Sequence, residues 1–218
     1  MQAFAIVFAI IVFLVVFIGA MVVERRRRQG MAVAAQELSM AFHPQDESGI
    51  GMAAVAGFSL AEQGHGRKVI NTLHAEAGEL KTRLFDYHYS RGSGKSQTNY
   101  YQTVIGFEHP GWDFPRFVLR PERFWDNVKG RFGAEDIDFD DSPVFSKKYF
   151  LQGPEEARIR QLFHGGLRDF FTQHLNWYIE ADGNRIILCQ ARQRRKPAEL
   201  ITFLKEGLAL KDELTASL

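Results

Sequence analysis

The chain opens on an unbroken apolar run, AFAIVFAIIVFLVVFIGAMVV from Ala3 to Val23, and then meets four consecutive arginines, Arg25 to Arg28. At about 1.5 Å of rise per residue a helix of this length spans the roughly 30 Å of a bilayer's hydrocarbon core. The core helix of a soluble protein rarely runs so far without a charge. A signal peptide carries its positive charge before a short apolar core; here only Met1 and Gln2 precede the run and the charges follow it. The segment is read as an uncleaved lipid-spanning anchor.

Beyond the arginines the pattern shortens. Gln29 to Phe42 reads as a helix ended by His43-Pro44, because a residue before proline avoids the helical region. Ser48 to Gly66, rich in Gly and Ala, reads as a loop holding a short ordered piece. Lys68 to Ala75 alternates as a strand does. So does Leu80 to Tyr89, which sets Phe85, Tyr87 and Tyr89 on one face and Leu84, Asp86 and His88 on the other. Asn99 to Glu108 and Arg116 to Leu119 continue the series, and such short spacing predicts an antiparallel meander. Pro121 to Phe132 reads as a short helix and Lys147 to Leu151 as a strand. Pro154 with Glu155 and Glu156 opens a helix, since proline suits the first turn and acids suit the positive dipole end. Helical spacing then runs through Ile159, Leu162, Phe163, Leu167, Phe170 and Phe171. Asn176 to Glu180 and Arg185 to Ala191 flank Asp182-Gly183-Asn184 as a hairpin. Pro197 opens a last helix with a stripe of Leu200, Phe203, Leu204, Gly207 and Leu208. The expected fold class is α+β: an N-terminal transmembrane helix, then an antiparallel β-sheet packed on helices in two layers. The expected organisation is an anchor with its arginine flank at residues 1–28, helix and linker at 29–66, and a soluble domain at 67–218.

Charge adds orientation. The net charge is +1, so removing the four arginines leaves a mildly acidic remainder, which argues against a general nucleic-acid binder. Arginine flanks only the C-terminal side of the apolar run, so the positive-inside rule puts Arg25, Arg26, Arg27 and Arg28 in the cytoplasm, at the lipid headgroups, with the domain behind them. A second basic cluster, Arg192, Arg194, Arg195 and Lys196, faces either lipid or solvent.

Candidate chemistry is thin. Gly92-Ser93-Gly94-Lys95-Ser96 resembles the end of a phosphate-binding loop, but Tyr89 stands where that motif needs its first glycine, and a strand rather than a helix follows. Glu135, Asp136, Asp138, Asp140 and Asp141 could hold a hard cation, yet Ile137 and Phe139 alternate with them and no EF-hand pattern forms. The seven histidines give no metal-binding spacing. Asp86 and His88 share a strand face as a conceivable acid–base pair. Cys189, the single cysteine, lies in an apolar strand, where an inert thiol is expected. No catalytic, cofactor-binding or metal-binding residue is assigned.

The runs Leu84-Phe85-Asp86-Tyr87-His88-Tyr89, Gly92-Ser93-Gly94-Lys95 and Gln102-Thr103-Val104 resemble a pattern of uncharacterised bacterial single-pass membrane proteins. So do Asp136-Ile137-Asp138-Phe139-Asp140 and Ser142-Pro143-Val144-Phe145-Ser146-Lys147-Lys148-Tyr149. The resemblance implies a bacterial inner-membrane protein and carries no known activity. The resulting expectation is a non-enzymatic cytoplasmic domain, tethered to the bilayer, that binds a protein partner or lipid headgroups without a cofactor. The alternatives are a membrane-associated hydrolase-like enzyme using Asp86, His88 or Asp136 to Asp141, and a structural subunit of a membrane complex.

Overall fold

The computed structural model describes residues 2–122 and 136–218. Its first helix, α1, runs without a break from Gln2–Glu37, through the apolar segment and past the four arginines. The separate helix expected to reach Phe42 is therefore the end of α1. The chain turns at Ser39, whose φ is +55°, and Ala41–Gln45 forms strand β1 rather than more helix. β1 is an outer strand, the one place in a sheet where Pro44 can lack an N–H at little cost.

Among the described residues the remaining strands are β2 (His65–Ala77), β3 (Leu80–Arg91), β4 (Thr98–Glu108), β5 (Phe114–Pro121), β6 (Tyr149–Gln152), β7 (Trp177–Gly183) and β8 (Arg185–Gln190). They form one eight-stranded sheet in the order β1-β2-β3-β4-β8-β7-β5-β6, antiparallel at every junction. β2, β3 and β4 are the first three strands of the expected meander; the fourth, Arg116 to Leu119, falls in β5, which lies beyond β8 and β7 instead of beside β4. β7–β8 is the expected hairpin, closed at Gly183 with φ +57°. The expected strand from Lys147 begins two residues later, because Pro143–Lys148 is helix α3. Of the helix expected over Pro121 to Phe132, Pro121 instead closes β5 and residues 123–132 lie outside the described residues.

Helices α4 (Glu156–Leu162), α5 (Gly165–Gln173) and α6 (Leu200–Thr215) join α1 and α3 on one sheet face. There Met31 and Ala34 of α1, Phe163 and Phe171 of the α4–α5 pair, and Phe203 and Leu210 of α6 bury Leu73, Leu84, Ile105 and Leu188. Phe145, Tyr149, Phe163 and Phe171 form a ring cluster with centroids 5.5 to 6.3 Å apart. Each such buried ring contributes about 1.5–3 kcal/mol. α6 reaches the sheet through Gly207, where a Cβ would stand 2.5 Å from Ile105 Cδ1. The opposite face, with Phe85, Tyr87, Tyr89, Val104 and Cys189, lies under the short α2 (Ile50–Val55) and a 3-10 turn at Ser59–Glu62. The sheet thus has one thick helical layer and a thin cover on its other side.

Candidate functional site: an ion cluster where the first helix meets the sheet

Asp86 sits mid-strand on β3 and is 1 % exposed. An isolated carboxylate at such depth would be costly, and the sequence supplies its partners from three distant segments. Arg27 of α1 grips it with two N–H groups: Nη2 donates to Oδ1 at 2.6 Å and Nε to Oδ2 at 2.7 Å. Arg194 donates to Oδ2 from Nε at 3.2 Å and Nη2 at 3.0 Å. Asn71 Nδ2 donates to Oδ2 at 3.0 Å and Thr103 Oγ1 to Oδ1 at 3.2 Å. Glu24, one turn before Arg27, accepts two further bonds from Arg194 at 3.0 Å. Two carboxylates and two guanidiniums make the cluster neutral.

Local backbone devices aim these groups. Asn71 lies at an irregularity in the β2–β3 register between Ile70 and Leu73, with φ +55°. Asparagine tolerates that left-handed conformation, and a bulge of this kind redirects a side chain. Arg192, at φ +57°, turns the chain after β8. The segment then folds back so that Gln193 O accepts from Thr103 N at 2.9 Å and Arg195 N donates to Thr103 Oγ1 at 2.9 Å. Arg27 Nη1 adds a bond to Arg195 O at 2.7 Å. Burial pushes the Asp86 carboxyl up, but the Arg27 and Arg194 guanidiniums and the Asn71 amide outweigh it and hold it below its ordinary value.

The four arginines expected to act alike are divided by this geometry. Arg25, Arg26 and Arg28 are exposed, while Arg27 is 10 % exposed and committed to Asp86. Asp86 is engaged by cations and an amide, and His88 lies instead against Tyr101, ring centroids 4.5 Å apart. Burial lowers the His88 pKa. Of the acidic stretch, Glu135 lies outside the described residues and the other acids disperse. Asp136 accepts from Leu151 N at 2.8 Å, Asp141 pairs with Arg168, and Ile137 and Phe139 enter the core between them. Among the described residues no three His, Cys, Asp or Glu side chains gather as a metal site. Gly92 to Ser96 form the exposed tip of the β3–β4 hairpin, closed by Arg91 opposite Thr98. Cys189 is buried, and burial drives its thiol pKa up.

Sequence reasoning did not find Glu180 of β7. It is 2 % exposed and accepts from Ser59 N at 2.5 Å, Leu60 N at 2.7 Å and Tyr178 Oη at 2.6 Å. It pins the 3-10 turn to the sheet. Burial raises its carboxyl pKa, with the Tyr178 hydroxyl and the two N–H groups pulling it back.

No protein-family model and no curated protein matches the chain. A solved structure does: the mycobacterial trehalose monomycolate transport factor A, TtfA, at TM-score 0.59 over 88 % of this chain and 93 % of that one. Identity is 11 %, so the likeness is one of fold.

Proposed function

We propose that the chain is a single-pass protein of the bacterial inner membrane, N-terminus outside, whose cytoplasmic domain is a non-enzymatic binding module held against the bilayer. The observation that carries this reading is the joint between anchor and domain. α1 is long and apolar enough to cross a membrane, and none of its apolar window is buried by the rest of the chain. Glu24 and Arg27 already belong to the domain's ion cluster, so no flexible linker separates the two parts. A tether on a loose linker lets a domain search; a clamped helix holds it at one height and tilt, which suits a module presenting a surface to a membrane protein. The groups with chemical potential support the same reading, because Asp86, Glu180 and Cys189 serve as structural partners or core residues. A fold shared with a protein named a transport factor fits an accessory role.

Chemical crosslinking of the tagged full chain in native membranes, followed by purification and native mass measurement, tests the reading. The expected result is a defined heteromeric species that survives in an Asp136→Asn control. Recovery of monomer alone, with intact folding, would refute partner binding. A C-terminus accessible from outside spheroplasts would refute the orientation.

A further inference from the structure

Three segments converge where α1 enters the domain. Arg192 lies over the Tyr100 ring at 4.9 Å and Arg194 over Tyr101 at 5.2 Å, while Arg194 also holds Glu24. Residues 25–28, 87–102 and 190–196 together contain ten Arg and Lys and no Asp or Glu. The rest of the chain carries 17 bases against 26 acids. Two of those acids, Glu24 and Asp86, pair with Arg27 and Arg194 in the ion cluster, which leaves the three segments a surplus of eight positive charges.

The strands also point this way. Stepping from Arg27 back to Glu24 on α1 is matched by stepping from Thr103 to Tyr101 on β4, with Arg194 bridging both levels. β3 continues five residues past Asp86 to Arg91, about 16 Å at 3.3 Å per residue. Glu24 lies one residue beyond the apolar run, so the hairpin tip and Tyr101 cannot stand far from lipid while α1 spans it. Tyr101 is 41 % exposed, and Lys95, Arg192 and Lys196 are exposed as well. Tyrosine beside cations is the side-chain chemistry of the membrane interface.

Resting on the anchor reading above, we infer that the β3–β4 hairpin tip and the 192–196 turn form a second membrane contact, docking the domain onto an anionic leaflet through Lys95, Tyr101, Arg192 and Lys196 alongside Arg25, Arg26 and Arg28. The occupant is the headgroup layer of the bilayer that holds α1. Each basic residue near such a surface strengthens attraction severalfold, so the docked pose depends on acidic lipid and weakens with salt.

The test uses the full chain in vesicles of phosphatidylglycerol and phosphatidylcholine, with an environment-sensitive fluorophore on single cysteines. Cys189 is 1 % exposed and does not compete for label. Ser96→Cys and Gln193→Cys report the proposed contact, Ala77→Cys and Asn184→Cys the opposite strand ends, and Val16→Cys the anchor. Quenching by spin-labelled lipid is expected to be at least threefold stronger at 96 and 193 than at 77 and 184, and to fall on going to pure phosphatidylcholine or on a Lys95→Glu/Lys196→Glu exchange. Equal quenching at all four domain positions, with position 16 still quenched, overturns the contact and leaves the anchor standing. No quenching at position 16 overturns both.

Discussion

Replacing Asp86 with alanine removes the one anion that Arg27 and Arg194 share. Asp86 is 1 % exposed, Arg27 10 % and Arg194 21 %. After truncation Arg194 keeps Glu24, but Arg27 faces a void with its guanidinium largely out of water. Stranding one member of a buried pair costs about 3–5 kcal/mol, and retention of Glu24 places the loss near the lower end, about 3–4 kcal/mol. For a domain of this size that corresponds to a fall in Tm of roughly 6–15 °C, read by differential scanning fluorimetry of the full chain in nanodiscs. A paired exchange, Arg27→Met with Asp86→Leu, removes both charges and is expected to recover to within about 1–2 kcal/mol of the parent. The pH dependence has a definite sign. The folded Asp86 pKa lies below its unfolded value, so its contribution is present above about pH 4 and lost as pH falls through the folded value. The Asp86→Asn variant should flatten that acid limb. A loss below about 1 kcal/mol for Asp86→Ala would refute the reasoning, since it would mean that water already reaches the cluster.

Other substitutions probe separate parts of the account. Asp136 is pushed up to about 6 by burial, so its contribution is full below about pH 4 and is lost as pH rises through about 6; Asp136→Asn should gain about 1–2 kcal/mol at pH 7 and nothing at pH 4 in denaturant titrations. Glu180→Leu leaves the Ser59 and Leu60 N–H groups and the Tyr178 hydroxyl without their acceptor, and should cost about 3 kcal/mol, with faster amide exchange confined at first to residues 58–62. At Gly30 a Cβ would stand 2.6 Å from Pro197 Cβ; Gly30→Val should force α1 from the turn before α6 and lower stability by about 1–3 kcal/mol, whereas an equal Tm would show that the contact yields freely.

The parts of the fold legible in the sequence are those encoded by local period. Phe85, Tyr87 and Tyr89 alternate with Leu84, Asp86 and His88, and the structure puts these sets on opposite sheet faces. The stripe Leu200, Phe203, Leu204 and Gly207 packs as its 3.6-residue spacing requires. Short-range pattern says nothing about which strands meet after a long excursion, so the β4–β8 and β5–β7 pairings were beyond reach. Ala41 and Phe42 read as the last residues of a helix that His43-Pro44 ends, and proline weighs against a strand as well; the place of β1 at the sheet edge removes that second objection. The ion cluster was hidden for the same reason as the long-range pairings. Asp86 lies 59 residues from Arg27 and 108 from Arg194, and four adjacent arginines look alike until helical phase turns one of them inward. The one available signal was Asp86 itself, an acid on a strand face otherwise destined for the core, which calls for a buried cation.

The long apolar helix α1 and the sheet move as one body, because Glu24 and Arg27 bind the domain's ion cluster. Spin labels at Val16→Cys in α1 and Ala77→Cys at the far end of β2, in the full chain in nanodiscs, measure it by pulsed dipolar spectroscopy. A single narrow distance distribution, broadened by Asp86→Ala, is the expected result. A broad distribution in the parent chain, unchanged by that substitution, would contradict the account.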